Sequence, residues 1–264
     1  MIKIVPWADR KLSMKNWRKI WNLFPYGEIC MTEIDREWEH QNWAEKIARY
    51  YVTRGRKLSV EVNPETHFDF ILSMCEIGVR KFYFTWRGVS KDYFLAAFEA
   101  LTVAQYVIEL YPDTEIVIIY SADFSQKKTP QNMDMVNTSI YTMSYMTKDI
   151  PQIKLLFRYP HPWSGQEKKK KLKQIVEWLD KSDKFKKMDV EPLCGCITIT
   201  PNTNIYPCEF CKRRKRKKLF GNAARDKHVC GTINRGIFRE VQCNVCEFGE
   251  SKYAYLKHKE VGGE

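Results

Sequence analysis

A chain of 264 residues with 44% hydrophobic and 14% aromatic residues can bury a sizeable core, which excludes a disordered protein. The formal net charge is +12, and most of the basic excess lies after residue 160. The first ten residues are interrupted by Pro6 and carry charges, so they offer no apolar run for a signal peptide core or a membrane span. We therefore expect a cytoplasmic protein with no membrane partner.

The first sixty residues predict three elements, which are a short amphipathic helix, a strand and a longer helix over 17–24, 28–34 and 38–51. In the longer helix we expect Trp43, Ile47 and Tyr50 to face inward. Cys75, in an apolar helical pattern further on, is expected to be a small core residue.

Strands and helices alternate from residue 57 onward. The predicted strands are 57–62, 79–86, 115–120 and 153–159, with a helix closed by Gly78, a long helix from Ser90 to Val107, and a helix over 171–179. This alternation predicts an α/β fold, either a partial (β/α) barrel or an open parallel sheet. We place this domain at residues 1–190 and a small cysteine-rich metal domain at residues 191–264.

The predicted metal domain contains seven of the nine cysteines, at Cys194, Cys196, Cys208, Cys211, Cys230, Cys243 and Cys246. The pairs 208–211 and 243–246 are Cys-x-x-Cys knuckles, in which two thiolates of one tight turn can bind the same metal or cluster corner. Disulfides would require an oxidising compartment, and the N-terminus carries no signal for one. The spacing therefore predicts a metal site, with iron–sulfur and zinc both open because thiolates bind either.

A seven-residue basic run follows the first knuckle and consists of Lys212, Arg213, Arg214, Lys215, Arg216, Lys217 and Lys218. Such a run can contact an acidic peptide, a nucleotide or nucleic acid, or it can be a solvated loop of the metal domain.

The segment 197–208, Ile-Thr-Ile-Thr-Pro-Asn-Thr-Asn-Ile-Tyr-Pro-Cys, resembles part of radical S-adenosylmethionine enzymes with a C-terminal SPASM or twitch-type auxiliary cluster domain. In that family a cysteine precedes a short hairpin of the form Pro-Asp-Gly-x-x-Tyr-Pro-Cys, and a Gly-Asn pair follows. The resemblance implies Cys194 or Cys196 as the opening ligand, Cys208 as the hairpin ligand, Gly221-Asn222 as the Gly-Asn pair and the later cysteines as further ligands. It also implies an iron–sulfur cofactor of the 4Fe–4S type.

Two features depart from this family. Thr203 stands where the hairpin usually has glycine, which a strained turn can tolerate at a cost in free energy. The defining Cys-x-x-x-Cys-x-x-Cys is absent, and Cys30 has no cysteine three or six residues away. One thiolate cannot hold the cluster that cleaves S-adenosylmethionine.

Three interpretations remain open. The first is a metalloprotein that has lost this cleavage and serves as a binding or regulatory scaffold for a peptide, nucleotide or nucleic acid. The second is an enzyme with a different chemistry at the carboxyl ends of the strands, using polar residues drawn from Glu61, Asn63, Thr85, Arg87, Asp123 and His161. The third is a zinc-ribbon-like protein that binds nucleic acid through residues 212–218.

Overall fold

The computed structural model describes residues 2–8, 10–24, 28–34, 37–63, 66–87, 91–121, 138, 141–158, 189–191, 197–206 and 221–222. The seven predicted metal ligands, the basic run 212–218, Asp123, His161 and the predicted helix over 171–179 lie outside these ranges. None of the helices in the described ranges combines the length and hydropathy that a membrane span needs.

One ten-stranded sheet organises the described residues. Its strands in chain order are β1 Ile2–Ile4, β2 Ile29–Met31, β3 Leu58–Val62, β4 Lys81–Arg87, β5 Glu115–Ser121, β6 Ile153–Arg158, β7 Asp189–Glu191, β8 Ile197–Ile199, β9 Asn204–Tyr206 and β10 Gly221–Asn222. The predicted α/β fold is confirmed, and its sheet is mostly parallel.

The strand order is β10-β9-β8-β1-β2-β3-β4-β5-β6-β7. Strands β1 to β7 follow one another in parallel, and β8 pairs in parallel with the free edge of β1. This is the cyclic order of an eight-stranded (β/α) barrel. The other edge of β8 pairs with β9 and not with β7, so the described strands form an open sheet.

Four helices connect the first five strands: α1 Met14–Leu23, α2 Trp38–Val52, α3 Phe68–Ile77 and α4 Lys91–Leu110. A further helical segment covers 141–147. The helices pack on one face of the sheet, where side chains such as Ile4, Met31, Val60, Phe82 and Ile118 form a single buried core. Along each strand the core residues occupy every second position, because successive side chains of a strand point to opposite faces.

Most elements that were predicted from periodicity are present, with shifted ends. The helix predicted from residue 17 begins three residues earlier, because the Ser13 side chain caps it by accepting a hydrogen bond from the Asn16 amide at 3.3 Å. In α2 the expected Ile47 is buried, whereas Tyr51 is the buried tyrosine and Tyr50 is half-buried. Cys75 lies in the core as predicted, and burial raises the pKa of its thiol to about 11.

The strands β8, β9 and β10 come from the region predicted to be a separate metal domain, yet they continue the hydrogen-bonded sheet of β1. The turn between β8 and β9 contains Thr203 at φ 62°, in the left-handed region that favours glycine. Strand β10 is the Gly221-Asn222 pair, which is antiparallel to β9. The domain boundary at residue 190 stays a prediction.

Candidate functional site

The second face of the sheet carries polar side chains that are nevertheless buried. We call it the inner face, and its central members are Lys3, Cys30, Ser59, Glu61 and Tyr83, none more than 9% exposed. Burial on both faces is typical of a parallel sheet that is covered on both sides or curls on itself. A buried polar face needs internal partners, so its hydrogen bonds indicate what it can bind.

The central contact of the inner face is an ion pair between β1 and β3. The Lys3 ammonium donates a hydrogen bond to Glu61 Oε2, and the two side chains are only 3% and 8% exposed. Strand β2 lies between them, where Cys30 pairs in register with Lys3 on one side and with Ser59 on the other. Lys3 therefore reaches diagonally across β2 to a carboxylate two strands away.

Thr32, the residue after β2, completes this cluster. Its Oγ1 donates to Glu61 Oε2 at 2.8 Å, and its side chain is buried. Lys3 and Glu61 are each the last residue but one of their strands, so all three groups lie toward the carboxyl edge. That edge is where parallel α/β folds bind their ligands.

Thr198 on β8 adds an unsatisfied group. It pairs in register with Lys3, is fully buried, and its Oγ1 has no hydrogen-bond partner within the described ranges. A buried hydroxyl without a partner destabilises the fold by about 1–3 kcal/mol. A ligand that hydrogen-bonds to this hydroxyl, beside the buried Lys3 ammonium, could therefore recover that free energy.

The amino edge of the inner face carries a chain of alternating charges. Lys81 Nζ lies 3.2 Å from Glu28 Oε2 and 3.7 Å from Glu115 Oε1, and Lys154 Nζ lies 3.2 Å from the same Glu115 atom. The Tyr83 hydroxyl donates to Glu28 Oε1 at 3.0 Å. Burial favours a higher pKa for Glu28, but hydrogen bonding from Ser59 and the charge of Lys81 outweigh it and leave the pKa lowered. Each carboxylate here has a cation, so this edge is electrostatically compensated.

Chemically, the carboxyl-edge cluster combines one ammonium, one carboxylate and two hydroxyls in a water-poor setting. Such a set can bind a ligand that carries both donors and acceptors through charge-assisted hydrogen bonds. We call these four residues, Lys3, Thr32, Glu61 and Thr198, the inner-face cluster.

The strand-end residues predicted from sequence divide into three groups. Glu61 belongs to the inner-face cluster. Asn63 accepts a hydrogen bond from the Thr66 hydroxyl at 3.4 Å, and the Thr85 hydroxyl donates to Val62 O at 3.2 Å, so both take part in local contacts. The backbone of Arg87 pairs with Ser121 at the end of β4. Sequence reasoning missed the other three members of the cluster, and only the Ile-Lys-Ile alternation around Lys3 could have indicated a strand.

Metal ligands form no group in the described ranges: no set of three or more His, Cys, Asp or Glu side chains there could hold an ion. Cys30 is fully buried on β2, and its thiol donates to Met31 O at 3.5 Å. The described residues between β1 and α1 include no cysteine. Within the described ranges, the residues therefore do not fit the cluster that cleaves S-adenosylmethionine.

No protein-family profile matches this chain, and no curated protein matches it either. Among solved structures it is similar to one described as "PhdJ bound to substrate intermediate", with 11% sequence identity and a TM-score of 0.40. The match covers 72% of this chain and 58% of that chain, so this chain spans less than two thirds of the length of that protein. The function has to be inferred from the chain's own residues.

Proposed function

We propose that the chain is an iron–sulfur metalloprotein whose C-terminal cysteines hold a cluster of the 4Fe–4S type, and whose sheet serves as a binding scaffold without reductive cleavage of S-adenosylmethionine. The observation that carries the proposal is the β8–β9–β10 arrangement, which brings the chain positions that flank four of the cysteines to one end of a hairpin. A reducing, cytoplasmic location suits free thiolates.

The register of the hairpin supports this grouping. Thr198 pairs with Tyr206, so the chain enters β8 and leaves β9 at the same end. Cys196 precedes Thr198 by two residues and Cys208 follows Tyr206 by two residues. Two residues of extended chain reach about 7 Å at most. Cys194 and Cys211 are two and three residues further along the same chain segments, within the range from which a shared site can draw its ligands.

Two further features of the hairpin agree with the auxiliary-domain resemblance. Thr203 adopts the left-handed conformation that the family's glycine would adopt, and Gly221-Asn222 forms the third strand beside β9. A threonine at positive φ is strained. The chain forms this turn despite the strain at Thr203. This supports the view that the cysteine site after β9 requires the hairpin.

The absence of a first cluster supports the loss of radical chemistry. A 4Fe–4S cluster that binds S-adenosylmethionine needs three protein thiolates, and Cys30 stands alone near the first strands. The inner-face cluster occupies the carboxyl edge instead, and it would bind the polar part of a peptide or nucleotide ligand.

Anaerobic purification followed by visible spectroscopy and metal analysis tests the cluster. We expect brown protein with broad charge-transfer absorbance and several irons per chain. Cys208→Ser and Cys243→Ser should each lower the iron content. Cys75→Ala, which removes a core cysteine far from the hairpin in sequence, is the matched control and should retain iron.

Two outcomes would overturn the proposal. Colourless protein with stoichiometric zinc would replace the cluster by a zinc site and favour the nucleic-acid-binding alternative through residues 212–218. Formation of 5′-deoxyadenosine from S-adenosylmethionine by the reduced protein would show that radical chemistry is retained.

A further inference from the structure

Three arginines pack on aromatic rings where α1 meets the end of α2, on the helix side of the sheet. The Arg54 guanidinium carbon lies 3.7 Å from the Tyr50 ring centroid, and that of Arg18 lies 5.5 Å from the same centroid. The guanidinium carbon of Arg56 lies 5.1 Å from the Trp21 ring centroid. Both rings pack on the core, so they hold the guanidinium groups in defined positions. We call these five residues, Arg18, Trp21, Tyr50, Arg54 and Arg56, the arginine–aromatic patch.

The two segments that form this patch carry positive charge only. Residues 13–24 and 46–57 contain eight Lys or Arg residues and no Asp or Glu. Arg18 and Arg54 are exposed, and none of the three patch arginines forms an ion pair in the part of the chain that the structure describes. A partner that carries negative charge would therefore complement the patch.

Two of the arginines leave the same edge of their guanidinium groups without a partner. Among the described residues, Arg54 donates only through Nη1, to Tyr50 O at 3.3 Å and to Thr53 Oγ1 at 3.5 Å. Arg56 Nε and Nη2 are buried, and neither has a hydrogen-bond partner within the described ranges. Nε and Nη2 form one edge of a guanidinium, and such an edge can bind a carboxylate through two parallel hydrogen bonds. Unsatisfied donors of a charged group are costly, so a carboxylate that draws Arg56 outward from Trp21 would remove that cost.

The rings of the patch already make contacts within the chain. Tyr50 contacts two arginines and also packs edge-on against Trp17, with 4.3 Å between ring centroids. Trp21 stacks on Tyr51 at 5.1 Å and contacts Arg56. These rings are therefore not free platforms for the bases of a single-stranded nucleic acid, which bind by stacking. The patch offers a partner its guanidinium edges rather than its ring faces.

An exposed apolar side chain lies beside the charges. Met14 is one turn before Arg18 on α1 and is 47% exposed. Arg, Trp, Tyr and Met are the residues that protein–protein interfaces contain more often than the rest of a protein surface. An arginine whose position is already fixed by a ring also loses less side-chain entropy on binding. The composition of this surface therefore favours a protein partner.

We propose that the arginine–aromatic patch is a docking surface for an acidic segment of a partner protein, one that carries carboxylates and an apolar side chain. Two carboxylates of the segment bind the Nε–Nη2 edges of Arg54 and Arg56, and the apolar side chain packs against Met14. The two arginines are two residues apart, so their Cα atoms are separated by about 7 Å at most. Alternate residues of one extended segment have the same spacing. The inference goes beyond the proposed function and does not depend on the metal.

Fluorescence anisotropy of the full-length protein tests the inference with a labelled peptide of repeating Glu-Glu-Leu. Arg54→Gln/Arg56→Gln should weaken binding by about tenfold, because it removes both carboxylate-binding edges. Arg18→Gln leaves the turn after α2 unchanged and should weaken binding by about threefold, as expected for one exposed charge. Arg54→Lys/Arg56→Lys keeps the charges but lacks the planar edges, and it should bind nearly as weakly as the glutamine double.

Two controls accompany these measurements. Arg10→Gln/Lys11→Gln removes two exposed charges from the loop between β1 and α1 and should leave the affinity of the parent unchanged. A labelled peptide of repeating Gln-Gln-Leu, which lacks carboxylates, should bind far more weakly than the acidic peptide. Circular dichroism of each variant shows that it is folded.

Four outcomes would overturn the inference. They are equal affinity of the parent and a folded Arg54→Gln/Arg56→Gln variant, equal affinity of the parent and the lysine double, equal binding of the two peptides, and a larger loss of oligothymidylate binding than of peptide binding in the glutamine double. The last would assign the patch to nucleic acid. Metal content, measured on the same samples, reports separately on the proposed cluster.

Discussion

Lys3 on β1 and Glu61 on β3 form a buried ion pair across the intervening strand β2, although 58 residues separate them in sequence. Taking two charges out of water is expensive, and their attraction offsets this only when geometry and additional hydrogen bonds are favourable. Thr32 supplies one such bond to the carboxylate. The pair fixes the lateral arrangement of three strands at the edge where the proposed ligand would bind.

Removal of one member of this pair should strongly destabilise the protein. We expect Lys3→Met or Glu61→Gln to lower the free energy of unfolding by about 3–5 kcal/mol, since each removes one charge of a buried pair and leaves the other in the interior. Urea unfolding followed by circular dichroism measures the loss.

The double variant Lys3→Met/Glu61→Gln should lose less than the sum of the singles, because neither buried charge remains. Lys148→Met breaks an exposed pair with Asp149 and should change stability by no more than about 0.5 kcal/mol. Additive losses in the double variant would show that the two side chains act independently.

The two inner-face threonines should respond oppositely to the same substitution. Thr32→Val removes a hydrogen bond to a carboxylate and should cost about 1.5–3 kcal/mol. Thr198→Val removes a buried hydroxyl that has no partner within the described ranges, so it should leave stability unchanged or raise it by about 1 kcal/mol. Thermal unfolding of the two variants side by side measures the difference.

A further property of Thr198 distinguishes a structural from a ligand-binding group. If the hydroxyl serves a ligand, Thr198→Val should weaken ligand-induced stabilisation while the ligand-free protein stays as stable as the parent. A loss of stability without ligand would mean that the hydroxyl has a partner within the fold.

Glu28 should make stability depend on pH in the acidic range. Its folded-state pKa lies below the ordinary value of 4.5, because the partners Ser59, Lys81 and Tyr83 outweigh burial. A depressed pKa contributes stability that is present above the unfolded value and is lost as pH falls through the folded value. The free energy of unfolding of the parent should therefore fall more steeply than that of Glu28→Gln between about pH 5 and about pH 3.

Urea titrations at a series of pH values measure this slope. Glu109→Gln, on an exposed position of α4, is the control and should follow the parent. Parallel curves for the parent and Glu28→Gln would contradict the role assigned to the partners of Glu28.

The sequence predicted the elements whose apolar periodicity is long and unbroken. Strands β3, β4, β5 and β6 and helices α2, α3 and α4 have such periodicity, and their order determined the α/β fold. Strand β1 was missed because it is three residues long and has a lysine at its centre. That lysine is buried with a carboxylate partner 58 residues away in sequence, and no local pattern predicts such a contact.

The candidate site was predictable only in part for the same physical reason. Glu61 ends a predicted strand, so the carboxyl-edge rule of parallel sheets identified it. Thr198 sits beside Lys3 because β8 returns to the free edge of β1, and this pairing depends on topology rather than on local sequence. By contrast, the turn at Thr203 could be predicted from the resemblance, since the hairpin pattern has glycine at that position.

Gly78 ends α3 with φ 106° and should tolerate alanine poorly. Positive φ costs a residue with a Cβ about 1–2 kcal/mol, and a Cβ at this position would lie 3.0 Å from Val52 Cγ1 on α2. Gly55 has φ 72° but nothing within 4 Å of the position that a Cβ would take, so Gly55→Ala isolates the backbone cost in free energy.

We expect Gly78→Ala to lose more stability than Gly55→Ala. In the Gly78→Ala background, Val52→Ala should restore part of that excess, because it removes the contacting methyl. Urea unfolding of the parent, the three single variants and Gly78→Ala/Val52→Ala measures the steric part as the departure of the double variant from additivity. Equal losses for the two glycine variants would show that α2 moves away from α3 without cost, which is inconsistent with the close packing of these helices on one core.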